Sequence, residues 1–396
     1  MFKKVQIAPP DPILGLTEMF KADPNPDKIN LSVGVYQDAS GKTPVLDTVK
    51  KAEKQILEKE DSKGYLPMTG DPAYCAQVQE LLFGEGHEII TTKRAATAQC
   101  PGGTGALRVA GAYLNIVHPE AKLWLSNPTW ANHNTIFAAA GLTCEKYDYR
   151  DPTTNGLDFE AMCASIKKIP KGDVILLHGC CHNPTGIDPT VEQWALLGDL
   201  LAEQGVLPLV DFAYQGLADG VEEDRAGLLE LTKRVKQMLV CSSFSKNFGL
   251  YRERTGALTV VADSNEQAAT VMSQIKLRIR YSYSNPPSHG GQIVATVLGD
   301  EELKAQWLEE VAEIRNRINE MRHLFVKTLK DIGVEQDFSS IIEQRGMFSF
   351  SGLTKEQVDQ LREKYSIYIV GSGRINVAGM TPDNMDRLCE AIKSVL

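Results

Sequence analysis

No CxxC pair occurs among the eight cysteines of this 396-residue sequence, at 75, 100, 144, 163, 180, 181, 241 and 389. Without that spacing a zinc ribbon or a dithiol redox motif has no starting point. Cys180-Cys181-His182 stands alone, with no second ligand pair at zinc-finger distance, so no metal is expected. Most of the cysteines sit in apolar contexts such as Leu239-Val240-Cys241, which suits reduced core residues. No run reaches the ~18 apolar residues of a membrane span. Met1-Phe2-Lys3-Lys4 is followed by Asp11 and prolines where a leader would have an apolar core and a cleavage site, so cytoplasmic residence is expected. Basic excess is also missing: 42 Lys and Arg face 51 Asp and Glu, a net charge of −9. Nucleic acid and anionic membranes, which reward a concentrated basic face, are thereby disfavoured as partners. There is no Walker A loop, no GxGxxG, no internal repeat and no low-complexity tract. What remains is an ordinary apolar content of 43% on a chain long enough for two domains, for which a globular enzyme is the default reading.

Along the chain, residues 1–14 are proline-rich and lack periodicity, which suggests an extended arm. Ile29 to Tyr36 alternate like a strand, with Gly34 either a bulge or a point of close approach. Helical patterns cover about 45–60 and 73–83. They flank Gly64-Tyr65-Leu66-Pro67-Met68-Thr69-Gly70, where Tyr65 is a packed loop aromatic or a hydroxyl aimed at a ligand. Apolar runs then alternate with helical segments: Leu123-Trp124-Leu125, Val174 to Leu177, Leu207 to Val210, Met238 to Cys241 and Ala257 to Val261. This pattern implies a mostly parallel sheet covered on both faces. Leu303, Trp307, Val311, Ile314, Ile318, Met321 and Phe325 recur every three or four residues, predicting one long helix over about 300–332 that links to a second domain.

Chemistry-bearing residues cluster just past the expected strand ends, where open α/β sheets bind ligands. Lys246, in Ser243-Phe244-Ser245-Lys246-Asn247, is a primary amine delivered to that edge and able to form a Schiff base with a carbonyl compound. Asp211, in Asp211-Phe212-Ala213-Tyr214, is a helix cap or the carboxylate that keeps a pyridine nitrogen protonated, as pyridoxal 5'-phosphate requires. Tyr214 is placed to bond that ring's hydroxyl. Pro101-Gly102-Gly103-Thr104-Gly105 opens a helix, and either caps it or cradles a phosphate. Arg254 can fork two bonds onto such a phosphate, with Ser243 and the Gly103-Thr104 turn completing the cup. Asn183, in His182-Asn183-Pro184-Thr185-Gly186, offers an amide donor or forms an ordinary turn.

These segments, with Ser284-Asn285-Pro286-Pro287 and Gly373-Arg374-Ile375-Asn376-Val377-Ala378-Gly379, resemble in order and over essentially the whole chain the aspartate aminotransferases. More broadly, they resemble the fold type I enzymes dependent on pyridoxal phosphate. The resemblance implies an α/β large domain at 45–314, whose mostly parallel sheet is sandwiched by helices. It also implies a smaller α+β domain from both chain ends (15–44 and 315–396), joined to the first by the long helix. It further implies that Lys246 carries the cofactor as an imine and shuttles a proton, that Asp211 pairs with the ring nitrogen, and that Tyr214 and Asn183 touch the ring hydroxyl. Trp130 would stack on the ring, and Gly103, Thr104, Ser243 and Arg254 would hold the phosphate with Tyr65 of a second subunit. Arg374 would clamp a substrate α-carboxylate beside Gly34 and Asn183, and Arg280 of the second subunit would take the distal carboxylate, so that a homodimer completes each site. Two arginines suit dicarboxylic substrates, namely aspartate, glutamate and their 2-oxo acids. Tyr65-Leu66-Pro67-Met68 resembles instead the aromatic branch, which makes a broad aspartate, tyrosine and phenylalanine specificity the alternative. Arg252 stands where an uncharged polar residue is expected.

Two readings of other classes compete. Ser243-Phe244-Ser245-Lys246 also fits SxxK, the serine acylation motif, but its companions Ser-x-Asn and Lys-Thr-Gly are missing in the expected order. A binding protein that kept the fold and lost the chemistry would need an output segment, and none stands outside the enzyme-sized region.

Overall fold

The computed structural model describes residues 2–7 and 14–396, so half of the arm expected over 1–14 lies outside the described residues. Eleven strands run through the described chain: β1 (Ile29–Asn30), β2 (Ala95–Pro101), β3 (Leu123–Asn127), β4 (Cys144–Asp148), β5 (Val174–His178), β6 (Leu207–Phe212), β7 (Met238–Ser243), β8 (Thr255–Val261), β9 (Phe348–Phe350), β10 (Ile367–Tyr368) and β11 (Arg374–Asn376). Two compact units result: Pro44–Asn316 with Gln344–Gly346, and Met1–Thr43 with Arg317–Glu343 and Met347–Leu396.

The larger unit is built on a seven-stranded sheet in the order β2-β8-β7-β6-β5-β3-β4, in which only β8 runs against the rest. This is the expected α/β class, and the apolar runs at β3, β5, β6, β7 and β8 form strands as predicted. β5, β7 and β8 are buried at every residue, as strands covered on both faces must be. Two strands carry no such signal. β2 is made of small and polar residues (Ala-Ala-Thr-Ala-Gln-Cys-Pro), and β4 (Cys-Glu-Lys-Tyr-Asp) lies at the sheet edge and needs no apolar run. The core gathers Leu107, Ala110 and Leu114 of the Gly102–Val117 helix, Leu125, Leu176, Leu209 and Leu258 of the sheet, and Ile275 and Ile279 of the Asn265–Ser282 helix.

Register places the chemistry. His178 pairs with Asp211, Asp211 with Cys241, Ser243 with Gly256, and Pro101 with Thr255. The carboxyl ends of β2, β5, β6 and β7 and the amino end of β8 are therefore one edge. Asp211 is the penultimate residue of β6 and so is held by the ladder itself, although the sequence reading put it beyond the strand.

The long helix spans Glu301–Asp331, about 46 Å at 1.5 Å per residue, and buries all seven residues of the periodic stripe. In the smaller unit β1 pairs parallel with β10, and β9 antiparallel with β11. Only Ile29–Asn30 of the strand expected over 29–36 is a strand. Past it, Asn376 Nδ2 donates to the carbonyls of Val33 (2.7 Å) and Val35 (2.9 Å), replacing ladder bonds.

Candidate active site

Lys246 follows β7 by three residues and is half-buried, its Nζ 4.7 Å from the centroid of the Tyr214 ring. Burial pushes the amine down to about 8; the charge of Asp211 opposes that shift and the charge of Arg254 adds to it. Tyr214 Oη accepts from Asn183 Nδ2 at 3.3 Å. Lys246, Tyr214 and Asn183, which come from the connections after three different strands, β7, β6 and β5, thus form one continuous wall.

Asp211 closes that wall through residues the sequence reading missed. The Asn183 backbone N–H donates to His178 Nδ1 at 3.0 Å, so His178 carries its proton on Nε2, which faces Thr129 Oγ1 at 3.3 Å. The Thr129 hydroxyl has one proton, and it goes to His133 Nδ1 at 2.8 Å. His133 Nε2–H is left to donate to Asp211 Oδ2 at 3.1 Å. One direction runs through the whole chain of bonds, and burial keeps it neutral at its centre by pushing His178 down to about 3. Burial by itself would raise the Asp211 carboxyl. The His133 hydrogen bond, the rings of His133 and His178 and then the Lys246 ammonium outweigh it, and the carboxyl lies below the usual range. His178 ends a buried strand and His133 lies four residues after Thr129. Those positions were the only sequence signal, and neither says that the two meet at Asp211. Trp130 stands edge-on to His133, centroids 5.2 Å apart.

On the other side of Lys246 is a cradle that needs glycine. The Gly102–Val117 helix starts with no side-chain cap, leaving its first amides open. A Cβ at Gly102 (φ +75°) would stand 2.6 Å from Arg254 Nη2, and one at Gly103 would stand 3.1 Å from Ser243 Cβ. Any side chain there would fill the space between the helix start, Ser243 and Arg254. Thr104 lies in the same first turn. Arg254 is itself left-handed (φ +55°), and its Nη1 donates to the Tyr251 carbonyl at 2.9 Å. Open amides, a hydroxyl and a guanidinium make an anion cup. Arg252 points away, its side chain 92% exposed.

Four predicted residues, Tyr65, Arg280, Arg374 and Gly34, are not in this constellation. Tyr65 is 94% exposed, and Arg280, also exposed, donates to Ser284 Oγ at 2.5 Å. Arg374 belongs to the smaller unit, where it is buried, donates to the Ser32 carbonyl at 2.6 Å and lies 4.0 Å over the Phe348 ring. The same ring explains Gly34: a Cβ there would come within 2.5 Å of Phe348 Cζ, so the glycine marks a close approach. Cys180 and Cys181 bring their sulfurs near Asp224, all possible ligand atoms within 4.8 Å of one another. The Asp224 oxygens, however, already accept the amides of Gly216, Ala218, Asp219 and Gly220. Among the described residues, no helix is long and apolar enough to cross a membrane.

The family model for aminotransferases of class I and II matches residues 26–392. The aspartate aminotransferase of Salmonella typhi is 56% identical over 396 residues, covering all of both chains. The aromatic-amino-acid aminotransferase of Pseudomonas aeruginosa is 46% identical over all of this chain and 98% of its own. A crystal structure of the aromatic-amino-acid aminotransferase of Burkholderia pseudomallei, covalently bound to pyridoxal phosphate, superposes with a TM-score of 0.97 at 47% identity, covering 100% of this chain and 99% of that one. A match of that extent leaves no room for the serine acylation reading, and this chain belongs to the class I and II aminotransferase family.

Proposed function

We propose that this chain is a pyridoxal-phosphate-dependent aspartate aminotransferase, moving the amino group between L-aspartate and 2-oxoglutarate. The observation that carries the proposal is the half-buried Lys246 amine lying against Tyr214, with an ionised carboxylate behind and an anion cup beside it. Those groups fit the cofactor: Gly103, Thr104, Ser243 and Arg254 hold its phosphate, Asp211 its ring nitrogen, Tyr214 and Asn183 its ring hydroxyl, with Trp130 against its ring. When bound, pyridoxal phosphate supplies an electron sink for negative charge at the substrate Cα.

The chain's own residues do the rest. Asp211, kept ionised, holds a proton on the ring nitrogen and so keeps the sink effective. Lys246, with its proton affinity lowered into the working range, holds the cofactor at rest and, once released, takes and returns the Cα proton. Arg374 receives the substrate α-carboxylate. A second copy of the chain supplies Tyr65 to the phosphate and Arg280 to the distal carboxylate. Exposure of Tyr65, Leu277, Arg280 and Tyr281 favours that homodimer, because large side chains in such number are costly on a free surface. Cytoplasmic residence belongs to the same reading, and all eight cysteines are free.

The proposal is tested by supplying the purified chain with pyridoxal phosphate. An absorbing species that borohydride traps as a pyridoxyl adduct on Lys246, and parallel double-reciprocal plots for aspartate with 2-oxoglutarate, are expected. A colourless protein without adduct would refute it. The 46% and 47% identical aromatic enzymes and the Tyr65-Leu66-Pro67-Met68 loop favour a broader second reading, with tyrosine and phenylalanine as further substrates. Arg280→Gln decides it: kcat/KM for aspartate should fall on the order of 100-fold while phenylalanine is little changed.

A further inference from the structure

We infer that Asp188 is a positioning residue for this reaction, its carboxylate clamping the backbone that presents Asn183 to both the cofactor ring and the hydrogen-bond chain behind Asp211. The inference rests on the proposed function above and adds a residue to it.

Asp188 is outside every motif considered so far, five residues beyond Asn183. Its two oxygens accept from two successive amides, Cys181 N–H on Oδ2 at 2.6 Å and His182 N–H on Oδ1 at 2.8 Å. Both amides immediately precede Asn183. Cys181 has φ +50°, a left-handed conformation that a side-chain-bearing residue adopts only when its surroundings impose it. The clamp is what imposes it, since two charge-assisted bonds from adjacent amides require that local turn. The next residue then does two things at once. Asn183 N–H sets the tautomer of His178, and through Thr129 and His133 the donor that meets Asp211, while Asn183 Nδ2 reaches Tyr214.

The surroundings of Asp188 point the same way. Tyr149 hands its hydroxyl to the Ile187 carbonyl at 2.6 Å and stacks on the His182 ring at 3.9 Å, and His182 stacks on His178 at 4.1 Å. A rigid column thus runs from the Asp188 turn to the histidine whose proton it sets. The ionisable groups facing Asp188 are Arg345, Asp224, Cys180, Cys181, His182 and Tyr149. Arg345 stabilises the ionised form, but it is engaged by Asp219 at 3.0 Å. Burial and the nearby Asp224 push the carboxyl up to about 6. Above that pH both oxygens accept and the clamp is complete. Below it one oxygen carries a proton that has to be donated, and one of the two amides loses its acceptor.

The test is a double-variant cycle on the cofactor-loaded enzyme, read by the pH midpoint of the bound cofactor's visible absorption as well as by kcat and KM. Asp188→Asn should shift that midpoint by about one unit or more and lower kcat about 10-fold with little change in KM, whereas Asn183→Ala should give a larger shift. If Asp188 acts through Asn183, the double variant matches Asn183→Ala alone. Shifts that simply add, or an Asp188→Asn midpoint equal to wild type, overturn the inference. A wild-type chain without the absorption refutes instead the proposed function. Should Asp188→Asn not fold, histidine-selective 15N labelling of the wild-type chain puts the same question. The His182 amide and an acceptor-type His178 Nδ1 should move together as pH falls through about 6, and independent movement overturns the inference.

Discussion

Asp211, the penultimate residue of β6, and Asp224, in the turn that follows that strand, are both buried, yet their carboxyls move in opposite directions. Asp224 accepts four backbone amides at 2.8 to 3.2 Å, and burial still raises it. Asp211 accepts from one imidazole, and it is lowered against the same penalty. Donors fixed in a loop satisfy a carboxylate without balancing its charge, whereas Asp211 has the His133 hydrogen bond, then the fields of His133 and His178, and last the Lys246 ammonium to outweigh burial. The first arrangement makes a structural staple for residues 216–224. The second keeps an ionised acid ready to face another positive centre.

The sharpest way to break the comparison is to remove the cation. Lys246→Ala should abolish turnover by a factor on the order of 10^5 or more, because the amine has both a covalent and a proton-transfer task. Steady-state and single-turnover rates check this, and residual activity within 100-fold of wild type would refute both roles. Next in size is Asp211→Asn, which should cost on the order of 10^3 in kcat by removing a preorganised charge. It should also move the amine. Lys246 is charged below about 8 and neutral above, and Asp211 holds that value up, so the pH midpoint for capture of the vitamer should fall below about 8 in the variant. An unchanged midpoint would mean that the two groups are not coupled. In stability the two acids have opposite signs. The contribution of Asp211 is present above its unfolded pKa of about 3.9 and lost as pH falls. That of Asp224, raised on folding, is present at low pH and lost as pH rises through its folded value.

Asp224→Ala should destabilise the larger unit by about 3 kcal/mol or more, since amides lose a buried acceptor, while the chemistry of the folded fraction stays close to wild type. Chemical denaturation with activity normalised to folded protein measures it, and a large kcat loss would give Asp224 a part in the site. The smallest effect is expected from His133→Gln, about 10-fold in kcat, because the proton donor to Asp211 is weakened while the charge remains. If His133→Gln matched Asp211→Asn, the histidine chain would be the source of the acid's behaviour.

Legibility followed the range of the interaction. The stripe from Leu303 to Phe325 and the apolar strands from Leu123 to Val261 could be read because period and run length are local properties. Gly34 was half legible: its sequence context allowed a bulge or a close approach, and only Phe348, far along the chain, decides for the latter. β2 and β4 were not legible, since an all-small strand and a charged edge strand have no periodic signal to read. Asp188 and the histidine chain escaped for a similar reason, because hydrogen bonds from Asn183 to His178 and from His133 to Asp211 depend on which strand ends become neighbours.

By itself the order of residues determined the α/β class, the long helix, and the lysine, aspartate and glycine turn that carry the chemistry, because each is set by local pattern or by a short contiguous motif. Tertiary structure alone decided which imidazole meets Asp211, which way the protons along that chain point, and how far Lys246 is discharged. Those are properties of burial and of distances of about 3 Å between residues as far apart as His133 and Asp211, and no stretch of sequence contains them.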